Sequence, residues 1–255
     1  MSGLVAALGF YTRLPLPSAL YGPAELARSA PWFPVAGLGI GAAIAGVFVA
    51  SHAFLPAALA AVIAVSVGAV VTGAFHEDGL GDVADAFPGG WTVERRLEIL
   101  DDPRQGTFGV LALTAALVTR VVAIGHLEPY GALALLPAAH ALSRVPAIVL
   151  MRRAPLARRE SLAAAFAQGL DARHEVAAVV VGAGAAALLI GVWALPAVAL
   201  CILTSVGMLA LARRKIGGIS GDVLGAIQQL AELGMLIMGV AAVHEGWRAL
   251  AWWQP

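Results

Sequence analysis

The chain has 255 residues, 60% hydrophobic and 13% charged, with 16 basic and 16 acidic side chains and a formal net charge of zero. A water-facing domain uses about 25% charged residues, so an ordinary soluble enzyme and a disordered chain are excluded, as is a nucleic-acid binder that relies on net charge. A single cysteine, Cys201, excludes a disulfide framework and a cysteine-ligated zinc or iron–sulfur centre.

What fits is an all-α, polytopic membrane bundle forming one domain over residues 1–255. Residues 4–20 hold Arg13 and several prolines and are expected to lie at the membrane interface or to re-enter it. The first residues lack a basic n-region, which argues against a cleavable signal peptide. A crossing helix needs about 20 mostly apolar residues. Seven stretches qualify: 34–53, 55–75, 108–127, 131–151, 176–195, 196–212 and 223–243. The sixth is short, and only the Leu195-Pro196 step parts it from the fifth. Their Ala, Gly and Val content suits close helix approach in lipid. Trp247 to Trp253 reads as an aromatic interfacial anchor.

Basic residues set the expected orientation. Arg13 and Arg28 precede the first span. Arg95, Arg96 and Arg104 follow the second. Arg152, Arg153, Arg158, Arg159 and Arg173 follow the fourth, and Arg213, Arg214 and Lys215 the sixth. Thirteen of the 16 cations thus fall on one side, while Arg248 stands alone on the other. The positive-inside rule makes the rich side, and the N-terminus, cytoplasmic. The active face is expected in loops 76–107, 152–174 and 213–222.

Eight of the 16 acids lie between Glu77 and Asp102. In a helix, Asp78, Asp82 and Asp85 share one face (i, i+4, i+7). Carboxylates so placed repel one another unless a cation lies between them. Oxygen donors without cysteine point to Mg²⁺, with Mn²⁺ as the other candidate. Mg²⁺ shared with substrate phosphates is the arrangement of phosphoryl transfer. The plainer reading is a solvated acidic loop at the membrane edge. Val93, Leu97 and Leu100 make an amphipathic stripe, expected to lie on the membrane surface, that Pro103 ends. Asp101 and Asp102 beside Arg104 then suggest a second ligand pair with a phosphate-binding cation, or ordinary surface ion pairs.

Arg120 and Arg144 fall inside spans, where an arginine costs roughly 2.5–3.5 kcal/mol on insertion scales and so needs an interior partner. Arg144, with Ser143 and His140, is expected to line a polar cavity and meet an anionic group. Glu232, near Gln228 and Gln229, is a candidate partner for either arginine. Gly217, Gly221 and Gly225 are four apart, as in small-residue packing. Ser220 and Asp222 in the same stretch favour a site-lining loop at a helix start.

At these residues the chain resembles the cobalamin 5′-phosphate synthase family, also called adenosylcobinamide-GDP ribazoletransferase. The resemblance is carried by Phe10-Tyr11-Thr12-Arg13-Leu14-Pro15-Leu16-Pro17 and Phe33-Pro34-Val35-Ala36-Gly37. It continues through Thr72-Gly73-Ala74-Phe75-His76-Glu77-Asp78-Gly79-Leu80-Gly81-Asp82-Val83-Ala84-Asp85 and the run from Arg96 to Gly109. It ends with the run from Gly217 to Ala226. The joint order is specific; no single motif is. The family usually has a second glycine where Ala74 stands and often a serine where Pro103 stands.

The resemblance implies a Mg²⁺-dependent enzyme of the bacterial inner membrane with a cytoplasmic active face. It would join adenosylcobinamide-GDP to α-ribazole, or its 5′-phosphate, and release GMP. Expected metal ligands are Asp78, Asp82, Asp85, Asp101 and Asp102. Glu77 or Asp82 is the expected general base, with Arg104 steadying phosphate. Arg13, His76, Arg144, Ser220 and Asp222 are expected to bind substrate. Homo-oligomerisation is left open, and no nucleic-acid partner is expected. Two rivals remain. A CDP-alcohol phosphotransferase would want Ala-Arg where Gly81-Asp82 stands. A transporter would use Arg120, Arg144 and Glu232 as pathway residues, yet leaves the acidic loop unexplained.

Overall fold

The computed structural model describes residues 2–16, 22–158, 160–246 and 250–253. These are helices and turns with one isolated bridge, Leu156 to Ile219, and no strand among the described residues. Parts of the 4–20 segment and of the Trp247–Trp253 anchor lie outside the described residues, as does Arg159.

A short helix α1 (Ser2–Tyr11) packs on α2 (Pro23–Ser29) and on the long apolar α3 (Phe33–His52). Next, α4 (Ala57–Thr72) is followed by α5 (Phe75–Gly89), bent 90° away from it. Two successive left-handed residues make that corner, Gly73 at φ +64° and Ala74 at φ +54°. Glycine adopts this conformation freely and alanine does not, which explains why a second glycine suits position 74. The expected second span therefore ends at Thr72, and α5 turns to run across the end of the bundle.

The amphipathic α6 (Val93–Leu100) follows, its first turn capped by Thr92, whose Oγ1 accepts from the Arg95 amide at 3.2 Å. Then come α7 (Thr107–His126), α8 (Pro129–Leu142) and α9 (Val145–Arg153). A two-residue turn at Ser143 and Arg144 separates α8 from α9 inside the expected span 131–151, which remains one crossing segment; Pro146 has no N–H to give the Leu142 carbonyl four residues back. After α10 (Leu162–Gln168), α11 (Ala172–Ile190) and α12 (Ala194–Ile216) are joined by a 3₁₀ turn, and α13 (Gly221–His244) closes the fold.

Five segments are long and apolar enough to cross a membrane: 23–52, 107–126, 129–153, 172–216 and 221–244. The bent α4–α5 pair makes six if counted as one span. The 45-residue segment 172–216 folds back on itself. Its beginning is tied to α9 by Glu175, which pairs with Arg152 and Arg153. Its middle reaches the opposite end, where the Leu188 carbonyl accepts from Trp252 Nε1 at 2.8 Å. Its end returns, with Lys215 Nζ donating to the Phe87 carbonyl at 3.0 Å. One pole of the bundle therefore gathers α5, α6 and the loops after α9 and α12.

Between the poles the outer surface is apolar. Val70, Leu188, Leu195 and Leu203 are each at least 70% exposed, far more apolar exposure than water tolerates and what lipid accepts. Inside, α3 and α8 meet closely because Gly37 and Gly41 face the α8 backbone. A Cβ at Gly41 would stand 2.5 Å from the Leu136 carbonyl oxygen. The main core lies around α3, α4, α8 and α11, and a smaller one at the pole joins α5, α6, α12 and α13.

Candidate active site

The acidic pole is built on the crossing of α5 and α13. Gly79 and Gly81 would weaken an isolated helix by about 1 kcal/mol each, but here they permit contact. A Cβ on Gly79 would lie 2.8 Å from the Asp222 carbonyl oxygen, and one on Gly225 only 3.3 Å from that of His76. Gly217 and Gly221 do not share this face. Gly217, at φ +81°, ends α12, and Gly221 opens α13. The spacing of four thus spans a helix end and a helix start, and only Gly225 makes the packing contact.

This crossing brings Asp78 and Asp82 of α5 against Asp222 at the start of α13. Burial, then the neighbouring charge of Asp78, pushes the Asp82 carboxyl up to about 6; Asp222 and Asp85 add to the push, and Gln105 opposes it. Gln105 Nε2 donates to Asp82 at 3.0 Å. Ser220 caps α13 through its Oγ, which accepts from the Val223 amide at 3.3 Å and donates to Asp222 at 3.1 Å.

A cavity of about 340 Å³ opens beside Asp222, and neither Asp78 nor Asp82 lines it. Its walls include Phe10 and Tyr11 of α1, Phe33 of α3, Phe75 and His76 of α5, and Phe166 of α10. Asp101, Arg158, Ser220 and Asp222 give it a polar side, and Ser143, Arg144 and Gln228 a polar floor. Asp101 accepts from Arg158 Nη2 at 2.6 Å across the α6 end and the loop after α9. Arg144 is 1% exposed. Its Nη1 donates to the His140 carbonyl at 2.6 Å, its guanidinium sits 5.0 Å over the Tyr11 ring, and its Nε has no partner. It forms no ion pair with a carboxylate among the described residues. A buried cation on the cavity floor that meets Glu232 and Glu77 only at a distance can receive an anion.

A second, much smaller cavity of about 30 Å³ borders the first through His76, Arg144 and Gln228. Around it, Arg120 pairs with Glu232 at 3.1 Å and Glu77 at 3.4 Å. It also donates to Gln229 at 2.6 Å. Gln228 Nε2 donates to Glu232 at 2.6 Å and to Ser143 at 3.1 Å. The candidate partner Glu232 thus takes Arg120 and not Arg144.

Several expected site residues stand elsewhere. Glu77 is turned inward to Arg120 and does not line the main cavity. Asp85 accepts from the Gly106 and Gly109 amides at 2.6 and 2.8 Å, so its carboxylate serves the exposed donors at the start of α7. Asp102 and Arg104 pair with each other at 2.7 Å, the arginine 86% exposed, and that pairing pulls Asp102 down to about 2. Arg13 packs its side chain over Gly73 at the α4–α5 corner. Of the expected second ligand pair, only Asp101 reaches the cavity, already paired with Arg158. The α6 stripe packs inward instead of lying flat on lipid: Leu97 and Leu100 line the cavity, and Val93 is exposed.

Sequence reasoning missed two features. Arg158 sits in a basic loop and was legible only as an orientation signal. The aromatic wall gathers residues from four helices; Phe10, Tyr11, Phe33 and Phe75 stand in the quoted motifs, but nothing local joins them to one another or to Phe166.

No group of three acidic, histidine or cysteine donors close enough to hold one metal exists among the described residues. Mg²⁺ keeps several waters and takes only one or two carboxylates beside substrate phosphate, so a pair such as Asp78 and Asp222 would suffice to hold it.

The family model for cobalamin-5-phosphate synthase matches residues 3–240. A curated relative from Azorhizobium caulinodans, named adenosylcobinamide-GDP ribazoletransferase, is 43% identical over 92% of this chain and 93% of its own. Relatives of the same name from Ralstonia pickettii (39%, 98% and 95%) and Shewanella frigidimarina (36%, 89% and 89%) agree. No solved structure matches. With a family match over nearly the whole length and relatives this similar, the chain belongs to the cobalamin-5-phosphate synthase family.

Proposed function

We propose that the chain transfers a ribazole group to adenosylcobinamide-GDP with release of GMP, at the acidic pole. The carrying observation is the convergence of Asp78 and Asp82 on Asp222, which lines a cavity whose floor holds the buried Arg144, in no direct ion pair with a carboxylate among the described residues. The acceptor is α-ribazole or its 5′-phosphate, and the product adenosylcobalamin or its 5′-phosphate. The protein lies in the bacterial inner membrane with this pole and its N-terminus in the cytoplasm, supported by the thirteen basic residues expected on that side.

A ribose hydroxyl of the acceptor attacks the phosphorus joined to the cobinamide. A new P–O bond forms, the P–O bond to the bridging oxygen breaks, and GMP leaves with that oxygen. The hydroxyl proton passes to a carboxylate, for which Asp82 is the candidate because its raised position suits a base near neutral pH. Asp78 and Asp222 would hold Mg²⁺, which supplies charge neutralisation at the diphosphate and the leaving group when bound. Arg144 receives a phosphate oxygen from the buried side, and Arg158, once freed from Asp101, another.

Purified protein in proteoliposomes, given a GDP-corrinoid with ribazole or a CDP-alcohol with an acceptor alcohol, tests the reading. GMP release from the first and no CMP from the second is expected. CMP release, or neither nucleotide with normally inserted protein, contradicts it.

A further inference from the structure

We infer that the aromatic wall of the main cavity is the binding site for the planar base of the acceptor nucleoside, so that the corrinoid donor stays outside and presents only its diphosphate. This rests on the transferase reading above and assigns the substrate half that the cavity takes.

The wall is an ordered ring system. Phe10 and Phe33 lie 5.6 Å apart with planes 6° from parallel, and Phe33 and Phe166 lie 5.7 Å apart at 8°. Phe75 meets Phe10 edge to face at 5.2 Å, and Tyr11 stacks on His76 at 5.4 Å. Three near-parallel rings from three helices offer a surface that a further flat ring extends by stacking. Phe75, 45% exposed, leaves a face open for it.

Size points the same way. A cavity of about 340 Å³ is at the small end of ligand pockets, roughly 300–1,000 Å³. It encloses one nucleoside. A corrin macrocycle bearing a nucleotide is far larger.

Chemistry then chooses among the flat rings of the two substrates. Guanine and adenine carry several hydrogen-bonding groups on their edges, which phenylalanine rings would leave unpaired at a cost. A benzimidazole has an apolar edge and one free ring nitrogen. Phe33 is sandwiched between Phe10 and Phe166, so the base lies against Phe75 and the outer face of Phe166, and the ribose extends toward Ser220 and Asp222, where its hydroxyl meets the donor phosphate.

The test is steady-state transfer in proteoliposomes with full-length protein. Benzimidazole alone is expected to compete with ribazole and not with the GDP-corrinoid, and guanosine to compete with neither at the same concentration. Phe75→Leu and Phe166→Leu each raise KM for ribazole about tenfold without a matching rise for the GDP-corrinoid, and Phe75→Tyr restores it. Phe54→Leu, exposed at the far pole, changes neither. Benzimidazole competing with the corrinoid, or guanosine competing with ribazole, overturns the assignment. So does a KM for the corrinoid that rises as much as that for ribazole. The inhibition pattern uses wild-type protein, so it stands even where a variant folds poorly. Absence of GMP release by the wild type would instead refute the transferase reading itself.

Discussion

Asp82→Asn is expected to lower kcat for GMP release by a factor of about 10² to 10⁴, the range of a lost general base, with the protein still inserted. The reason is local. Asp82 is held beside Asp78 and Asp222 by the α5–α13 crossing, and its carboxyl sits at about 6 because burial and Asp78 both oppose its charge. An aspartate ordinarily titrates at 3.8, so the folded protein holds a proton there between roughly pH 4 and 6 that the unfolded chain has lost. The contribution to stability is fully present below 3.8 and is lost as pH rises to about 6. A neighbouring cation is drawn more strongly once that proton has left, so affinity for Mg²⁺ should fall as pH drops through 6 and stay level above it. In Asp82→Asn this acid limb should vanish. Asp85→Asn provides the contrast. It disturbs the start of α7, costing about 0.5–2 kcal/mol of stability, and should spare far more activity. Equal losses at the two positions would show that the site is not centred on Asp82.

Glu232→Gln should unfold the protein at a markedly lower temperature. Glu232 and Arg120 are 1% and 6% exposed, paired at 3.1 Å. Removing one charge of a buried pair costs about 3–5 kcal/mol because the other is stranded. The Glu77 contact at 3.4 Å keeps the loss near the lower figure. At about 2–4 °C per kcal/mol for a chain of this size, the midpoint in detergent should fall by roughly 6–12 °C. The double variant Arg120→Met/Glu232→Leu should recover only part of this, since it removes the buried pair but leaves Glu77 and Gln229 without Arg120. A single variant as stable as the wild type would show that the network does not support the bundle. A transport pathway needs these charges to be exchangeable with water; here they are locked to one another.

Much of this architecture was legible in composition and charge order. Long apolar runs gave the helices, and the placement of cations gave one shared pole. The turn at Ser143 and Arg144 was not, because the run stays apolar across it and only Pro146 marks it. The corner at Gly73 and Ala74 hid for a similar reason: an alanine in a left-handed conformation has no sequence signature. At the site, the i, i+4 spacing correctly placed Asp78 and Asp82 together. The same spacing carried Asp85 one turn too far, to where the α7 amides take it. Asp222 was legible as a site-lining residue, but its meeting with Asp78 and Asp82, like Arg158 and the phenylalanine wall, depends on contacts between distant residues, more than a hundred positions apart in pairs such as Gly79 with Asp222, and no local pattern encodes those.

The central claim is that transfer occurs at the acidic pole with a divalent cation held there. GMP release from a GDP-corrinoid and ribazole, followed in chelator-treated proteoliposomes as Mg²⁺ is added back, tests it most directly. The account predicts no release in chelator, full recovery with Mg²⁺ in the wild type, and no recovery at any Mg²⁺ concentration in Asp78→Ala/Asp82→Ala protein that inserts normally. Full release in chelator, or undiminished release from the double variant, would contradict it.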